Sequence, residues 1–232
     1  VRGIHRRAGA HHIMTRKQTI HTPLVFANLL PSAAQSLLDS PAPELKRRQT
    51  GIQDGWTACM LYLQLDATTD LPEEPFHTQI IADPSQPLTE GNHLFVSVTG
   101  VDEDRGVEGI RTATVSTHVH PDRLLSNAAH QVAHVQQRMQ ETLQRQAPEI
   151  HSATRHRMVA SARTWQRFTG RPGGLVGGAP RTVGLHNYSG ILPREVHEGL
   201  WLVGDSVFPG QSTLAAALGG AGDAAEAALG DD

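Results

Sequence analysis

Short apolar runs broken by Gly, Pro and Asp set the rhythm of this chain, and only two long stretches depart from it into helical spacing. Val1 to Arg7 and His12 to Ile20 read as extended segments joined by Ala8-Gly9-Ala10-His11, which predicts a hairpin. Leu24-Val25-Phe26-Ala27 is a short unbroken apolar run ending at Asn28, the pattern of a strand buried on both faces in a parallel sheet. A helix is expected from Pro31 through Ser32 to Leu38, before the Pro-broken stretch Ser40-Pro41-Ala42-Pro43. Next come four strand-like segments: Ala58 to Asp66, with Leu61, Leu63 and Leu65 on one face, then Phe76 to Ala82, His93 to Thr99 and Arg111 to Val119. Short Pro-, Gly- and Asp-bearing connections between them predict an antiparallel sheet rather than βαβ units. Leu124, Leu125, Ala128, Val132, Val135, Met139 and Leu143 then fall at three- and four-residue spacing, so a helix opens near Pro121-Asp122 and closes at Pro148.

The last third of the chain carries the chemistry. Gly170 to Pro180 (GRPGGLVGGAP) has too many glycines for a regular element and predicts a loop with close backbone approaches. Gly199-Leu200-Trp201-Leu202-Val203-Gly204-Asp205 reads as a buried strand, Ser206 to Gln211 as a turn, and Ser212 to Leu229 as an Ala-rich helix. Leu214, Leu218, Ala221, Ala225 and Leu229 share one face of that helix, and Ser212 or Thr213 is a suitable N-cap. A strand, a Gly/Pro turn and a capped helix present free backbone N–H groups and the positive end of a helix dipole. Asp205, at the carboxyl end of its strand, stands where α/β sheets bind ligands, and its carboxylate can accept hydrogen bonds from ribose or ribityl hydroxyls. An ordinary βα unit with Asp205 capping the turn fits the same residues.

Composition narrows the classes. With 20 Lys+Arg against 23 Asp+Glu the net charge is −3, which excludes nucleic-acid binding driven by overall charge. One cysteine, Cys59, excludes an intramolecular disulfide framework and a Cys-rich zinc site; in its apolar strand it reads as a small buried residue. No apolar run reaches the roughly 20 residues of a membrane-spanning helix. His130 and His134 share a helix face opposite the apolar stripe, with no third ligand at useful spacing, and read as exposed. His118 and His120 share one side of a strand with no carboxylate to complete a site. His11 and His12 lie at the hairpin turn and are expected at the surface. Arg167 and Arg171 flank the Gly-rich loop, either solvated or in reach of a phosphate or flavin carbonyl.

The string GLWLVGDSVFPGQSTLAAALGG resembles the C-terminal flavin-binding motif of the carotenoid desaturase and isomerase family, the phytoene-dehydrogenase-like FAD oxidoreductases. QRFTGR, GGLVGG, LVFAN, GWTACMLYLQLD and EGNHLFVSVTG follow the family's order and spacing, so the resemblance covers essentially the whole chain as a C-terminal half. It implies an α/β (α+β) fold: part of a Rossmann-like FAD-binding domain (residues 1–30 and 164–232) plus an antiparallel-sheet substrate domain (31–163). Carried onto matching positions, it implies a cofactor site of Gly204, Asp205, Pro209, Gly210, Gln211, Ser212, Thr213 and Leu214, with FAD as cofactor. Ser212 departs from the family, which commonly has Gly there; a Ser can cap the helix but restricts φ beside the flavin. The family's opening strand and Gly-rich pyrophosphate turn have no counterpart here. Gly220-Ala221-Gly222-Asp223-Ala224-Ala225 matches G-x-G-x-x-A but lies within the terminal helix, so it reads as helix-packing glycines. The chain is therefore expected to be a fragment, or one half of a split enzyme partnered by the other half. The implied reaction is desaturation of a long apolar polyene such as a carotenoid, or isomerisation of its double bonds, in the cytoplasm, with peripheral membrane contact left open. The alternative is a non-catalytic module that binds an apolar ligand or partner through its sheet and lacks flavin.

Overall fold

The structure, a computed structural model, describes residues 1–52, 55–67, 70–103, 107–124, 128–178, 195–207 and 213–229. The chain divides into two compact units: residues 1–55 with 170–172 and 176–232, and residues 56–169 with 173–175.

The first unit opens on the expected hairpin. Strands β1 (Gly3–Arg7) and β2 (Ala10–Met14) pair antiparallel through a two-residue turn at Ala8-Gly9. The predicted second segment is in fact two strands. Thr15 folds the chain back with its own hydroxyl, which accepts from the Lys17 and Gln18 amides at 3.2 and 3.0 Å and donates to the Gln18 carbonyl at 2.7 Å. Strand β3 (Thr19–Thr22) then returns antiparallel along β2. The surface placement of His11 is also corrected: alternation along β2 turns it inward to 1% exposure, while its Nε2 lies 3.1 Å from the Glu198 carbonyl. The apolar run at 24–27 forms β4 (Val25–Ala27), and helix α1 (Pro31–Leu37) follows as expected. The Pro41–Pro43 cluster breaks the chain after α1, but Pro43 also opens a second helix, α2 (Pro43–Ile52), since a first-turn proline lacks only an N–H that the helix would leave unpaired. The Gln35 and Gln49 side chains tie these helices together, accepting from the Ala42 and Ser32 amides at 2.8 and 3.0 Å.

The second unit is built on the expected antiparallel sheet. It comprises β5 (Thr57–Asp66), β6 (Phe76–Ile81), β7 (His93–Val98) and β8 (Ile110–Val119). A short 3-10 turn at Pro121–Leu124 leads to α3 (Ala128–Gln146), and α4 (Pro148–Ala153) comes directly after it. The sheet has a fifth strand that the apolar pattern did not announce, β9 (Thr154–Ala160), and then helix α5 (Ala162–Thr169). Strand order is β6-β7-β8-β5-β9, antiparallel throughout. Cys59, Leu61, Leu63 and Leu65 of β5 share a core with Leu94, Val96 and Val115, under Val135, Met139 and Leu143 of α3 and Ile150 of α4. The opposite sheet face is largely open, although Ala58 and Ala160 on it are buried. Two of its cross-strand rows run Gln79–Phe95–Ser116–Met60–Ala160 and His77–Ser97–Thr114–Tyr62–Met158, with no Asp, Glu, Lys or Arg in either.

The chain then completes the first unit with β10 (Glu195–His197), β11 (Leu200–Leu202) and α6 (Thr213–Leu229). Strand β11 pairs antiparallel with β10 and parallel with β4, in register Leu200↔Val25, Trp201↔Phe26 and Leu202↔Ala27. Apolar runs distant in sequence thus form a parallel pair, but the expected burial on both faces is corrected: β4 is last in its sheet among the described residues and Phe26 is exposed, while Val25 and Ala27 face the core. Ile4, Val25, Ala34, Leu45, Leu200, Leu202 and Val207 form the core here. The apolar face expected for α6 is corrected. Leu218 and Leu229 are 65% and 80% exposed, while Asp223 and the small residues Ala216, Gly220 and Ala224 turn inward. Small side chains let the helix approach closely; at Gly220 an added Cβ would sit 3.3 Å from Cβ of Val203. Gly220 is the helix-packing glycine the sequence suggested, but Gly222 has open space beside it. Among the described residues no helix is long and apolar enough to cross a membrane.

Candidate functional site

Parallel strands β4 and β11 end side by side, and their last hydrogen bond runs from the Val203 amide to the Ala27 carbonyl at 3.1 Å. The residues just past the two strands therefore meet: Asn28 after β4, and Gly204 and Asp205 after β11. Gly204 has φ +97°, a conformation L side chains rarely adopt, and a Cβ there would collide with Oδ1 of Asn28. Glycine at 204 thus lets the chain turn sharply at the strand end while Asn28 lies against its backbone.

Asp205 does not stand alone. Arg171, from the Gly-rich loop, meets its carboxylate with both terminal nitrogens, Nη1 to Oδ2 at 2.7 Å and Nη2 to Oδ1 at 2.9 Å. Side chains of both residues are about one-fifth exposed, at 22% and 23%. Parallel two-point contact of this kind fixes orientation as well as supplying charge-assisted hydrogen bonds. Arg171 Nη1 also donates to the Gly177 carbonyl at 3.0 Å, which folds the loop onto itself. One residue on, Gly178 is packed so tightly on the Asp205 carbonyl that no Cβ could fit between them. The loop's expected close backbone approaches are realised here.

A cleft of about 580 Å³ opens at this point, lined by Phe26, Asn28, Val203, Gly204, the Arg171–Asp205 pair and the small-residue face of α6. That volume suits a small organic ligand or part of a larger one. Among the described residues its walls are apolar apart from the amide of Asn28 and one neutralised ion pair.

Of the predicted site residues, Gly204 and Asp205 line this cleft. Pro209, Gly210, Gln211 and Ser212 lie outside the described residues. Thr213 and Leu214 open α6, and their side chains lie outside the description as well. Sequence reasoning did not select Asn28, which it used only as the end of an apolar run, and left Arg171 between two roles. The signal for Arg171 was its place in the Gly-rich loop; nothing local identified its partner 34 positions away. Arg167, in the second unit, is exposed, with its guanidinium 5.4 Å from the Phe168 ring centre. His130 and His134 are exposed on α3, and His118 and His120 both pack edgewise on Trp56. Among the described residues no group of three metal-binding side chains forms. Cys59 is fully buried, and burial pushes its thiol up to about 11.

No family model and no curated protein matches the sequence. Solved structures do match the fold. An oxidoreductase from Methanosarcina mazei superposes with a TM-score of 0.57 at 15% identity, over 97% of this chain and 48% of that one. Cyclohexylamine oxidase from Brevibacterium oxydans IH-35A superposes with a TM-score of 0.53 at 8% identity, over 96% of this chain and 48% of that one. The chain shares its fold with part of each. It spans about half the length of these structures, and at such identities the likeness establishes the fold and not the reaction.

Proposed function

We propose that this chain is part of an FAD-dependent oxidoreductase, with the cleft at Gly204 and Asp205 holding the flavin's ribityl chain and the adjoining ring. The observation that carries the reading is the meeting of a Cβ-free backbone turn and an oriented carboxylate at the carboxyl ends of two adjacent parallel strands, where α/β sheets take their ligands. The residues fit the group. Asp205 offers acceptor lone pairs beyond those Arg171 engages, Asn28 offers an amide, and Ala216, Ala217, Gly220 and Ala224 leave room along α6. FAD, when bound, accepts a hydride. The chain's own residues would orient the polyol and shield the ring's edge from water with Phe26 and Val203. Pro209 to Leu214, as the family resemblance implies, would complete the site.

The substrate we propose is a long apolar polyene, carotenoid-like, undergoing desaturation or double-bond isomerisation. Support comes from the open sheet face of the second unit, where Phe95, Met60, Tyr62 and Met158 stand among Ser and Thr hydroxyls in two rows that hold no Asp, Glu, Lys or Arg and end at Gln79 and His77 on β6. Contacts to the pyrophosphate and adenosine would come from the other half of the fold, in the same polypeptide or a separate chain. That open face equally favours a second reading, a flavin-free module binding an apolar ligand or partner. The absorption spectrum of the protein isolated from its native cells separates the two. Oxidised-flavin bands at stoichiometric strength are expected, and a colourless protein would leave only the second reading.

A further inference from the structure

We propose that Arg171 is a positioning and specificity-determining residue: its two-point pairing with Asp205 presents a fixed, charge-neutral pair to the cleft, which therefore takes an uncharged hydroxyl-bearing segment and turns away phosphate. The inference rests on the flavin reading for the identity of that segment. Its physical basis is independent of it. Arg171 and Asp205 both line the cleft, and their paired contacts at 2.7 and 2.9 Å cancel the two charges within a partly buried space. A guanidinium whose fork is engaged by a carboxylate is a poor anion receptor, because phosphate recognition uses that same fork geometry. The carboxylate, in turn, keeps acceptor capacity for hydroxyls, and its orientation is held from two sides. Arg171 grips the side chain and also binds the Gly177 carbonyl, while Gly178 packs on the Asp205 backbone. Loop 170–178 thereby fixes the angle at which Asp205 meets a ligand. With its fork on Asp205, Arg171 is turned from an anion receptor into a support for the carboxylate.

The test is to titrate flavin-stripped protein prepared from its native cells, wild type and variants, with two probes, riboflavin by fluorescence and inorganic pyrophosphate by calorimetry, with a melting curve for each protein. The wild-type chain is expected to prefer riboflavin. Asp205→Asn removes the carboxylate's charge and leaves the guanidinium, so riboflavin should weaken and pyrophosphate should gain, each by roughly tenfold or more. Arg171→Gln should weaken riboflavin without gaining pyrophosphate. Arg171→Lys keeps the charge pair, and so the fold of the loop, but loses the two-point geometry; it should bind riboflavin between wild type and Arg171→Gln. A role confined to stability would lower all melting temperatures and leave the ligand preference unmoved. An Asp205→Asn protein with unchanged preference overturns the proposal, and so does an Arg171→Lys protein indistinguishable from wild type with both probes. Should riboflavin fail to bind wild type while Asp205→Asn still gains pyrophosphate, the charge pairing stands and the flavin reading falls.

Discussion

Gly204 holds φ at +97° against the Asn28 amide, so an added methyl group meets both an unfavourable backbone region and a side chain. Asn28 is short and can swing aside in part, which leaves backbone strain as the larger effect. Gly204→Ala is expected to destabilise the chain by about 1–3 kcal/mol, measured by chemical denaturation; a loss below a few tenths of a kcal/mol would mean the turn relaxes without strain. His11 makes a different residue-scale prediction. A carbonyl only accepts, so Nε2 carries the hydrogen that reaches Glu198, and a further proton must go to Nδ1, which is buried and has no partner among the described residues. Burial first, then the nearby Arg6 and His197, hold its pKa below the ordinary 6.5, against the opposing pull of the Glu198 carbonyl and carboxylate. The unfolded chain therefore takes up this proton before the folded one does. Stability from this group is complete above about pH 6.5 and is lost as pH falls from there toward the folded value. His11→Gln, which keeps a donor but cannot charge, should flatten that acid slope; an unchanged slope assigns it to other groups. Neither residue's role could be read locally. His11 looks like a turn residue until Glu198 is folded onto it, and Gly204 reveals its close approach only once Asn28 lies beside it.

At the scale of elements, regular alternation was the legible signal and the lack of it the source of most errors. Strands β5, β7 and β8 alternate cleanly because one face lies on α3 and α4 and the other is open, and the sequence displays that difference directly. Strand β9, at the sheet edge, is exposed along nearly its whole length, so no apolar period marks it. Helix α2 was hidden by prolines that look like breakers and act as a helix start. Helix α6 misled in the other direction. Its leucines form a stripe, but the chain buries the small-residue side, which lets the helix approach Val203 closely. Cys59 shows what a buried strand position does to chemistry. With zero exposure and its thiol raised to about 11, almost none of it is thiolate at neutral pH. It should resist alkylation in the native protein and react only at the rate of unfolding; prompt native labelling would contradict its place in the core.

At the scale of the whole molecule, the chain forms two units with separate cores; the sequence pointed to Gly204 and Asp205, which line the cleft, whereas Asn28 and the partner of Arg171 needed the fold. Besides the open sheet face of the second unit, the first unit also leaves apolar side chains exposed among the described residues. Strand β4 is last in its sheet, with Phe26 36% exposed, and α6 turns Leu218 and Leu229 outward. Open strand edges and apolar helix faces favour association. The isolated chain is accordingly expected to oligomerise or aggregate, and light scattering that finds a monomer with a cooperative melt would contradict this. The central claim is that Asp205 meets a flavin, and it is tested most directly by titrating FAD into flavin-stripped protein prepared from its native cells, wild type against Asp205→Ala, with melts taken with and without FAD. Losing a hydrogen bond to a charged group, about 1.5–3 kcal/mol, predicts roughly 10- to 150-fold weaker FAD binding and a larger fall in melting temperature with FAD than without. Unchanged FAD affinity, beside an equal fall in both melts, would make Asp205 a turn cap and remove the flavin from this cleft.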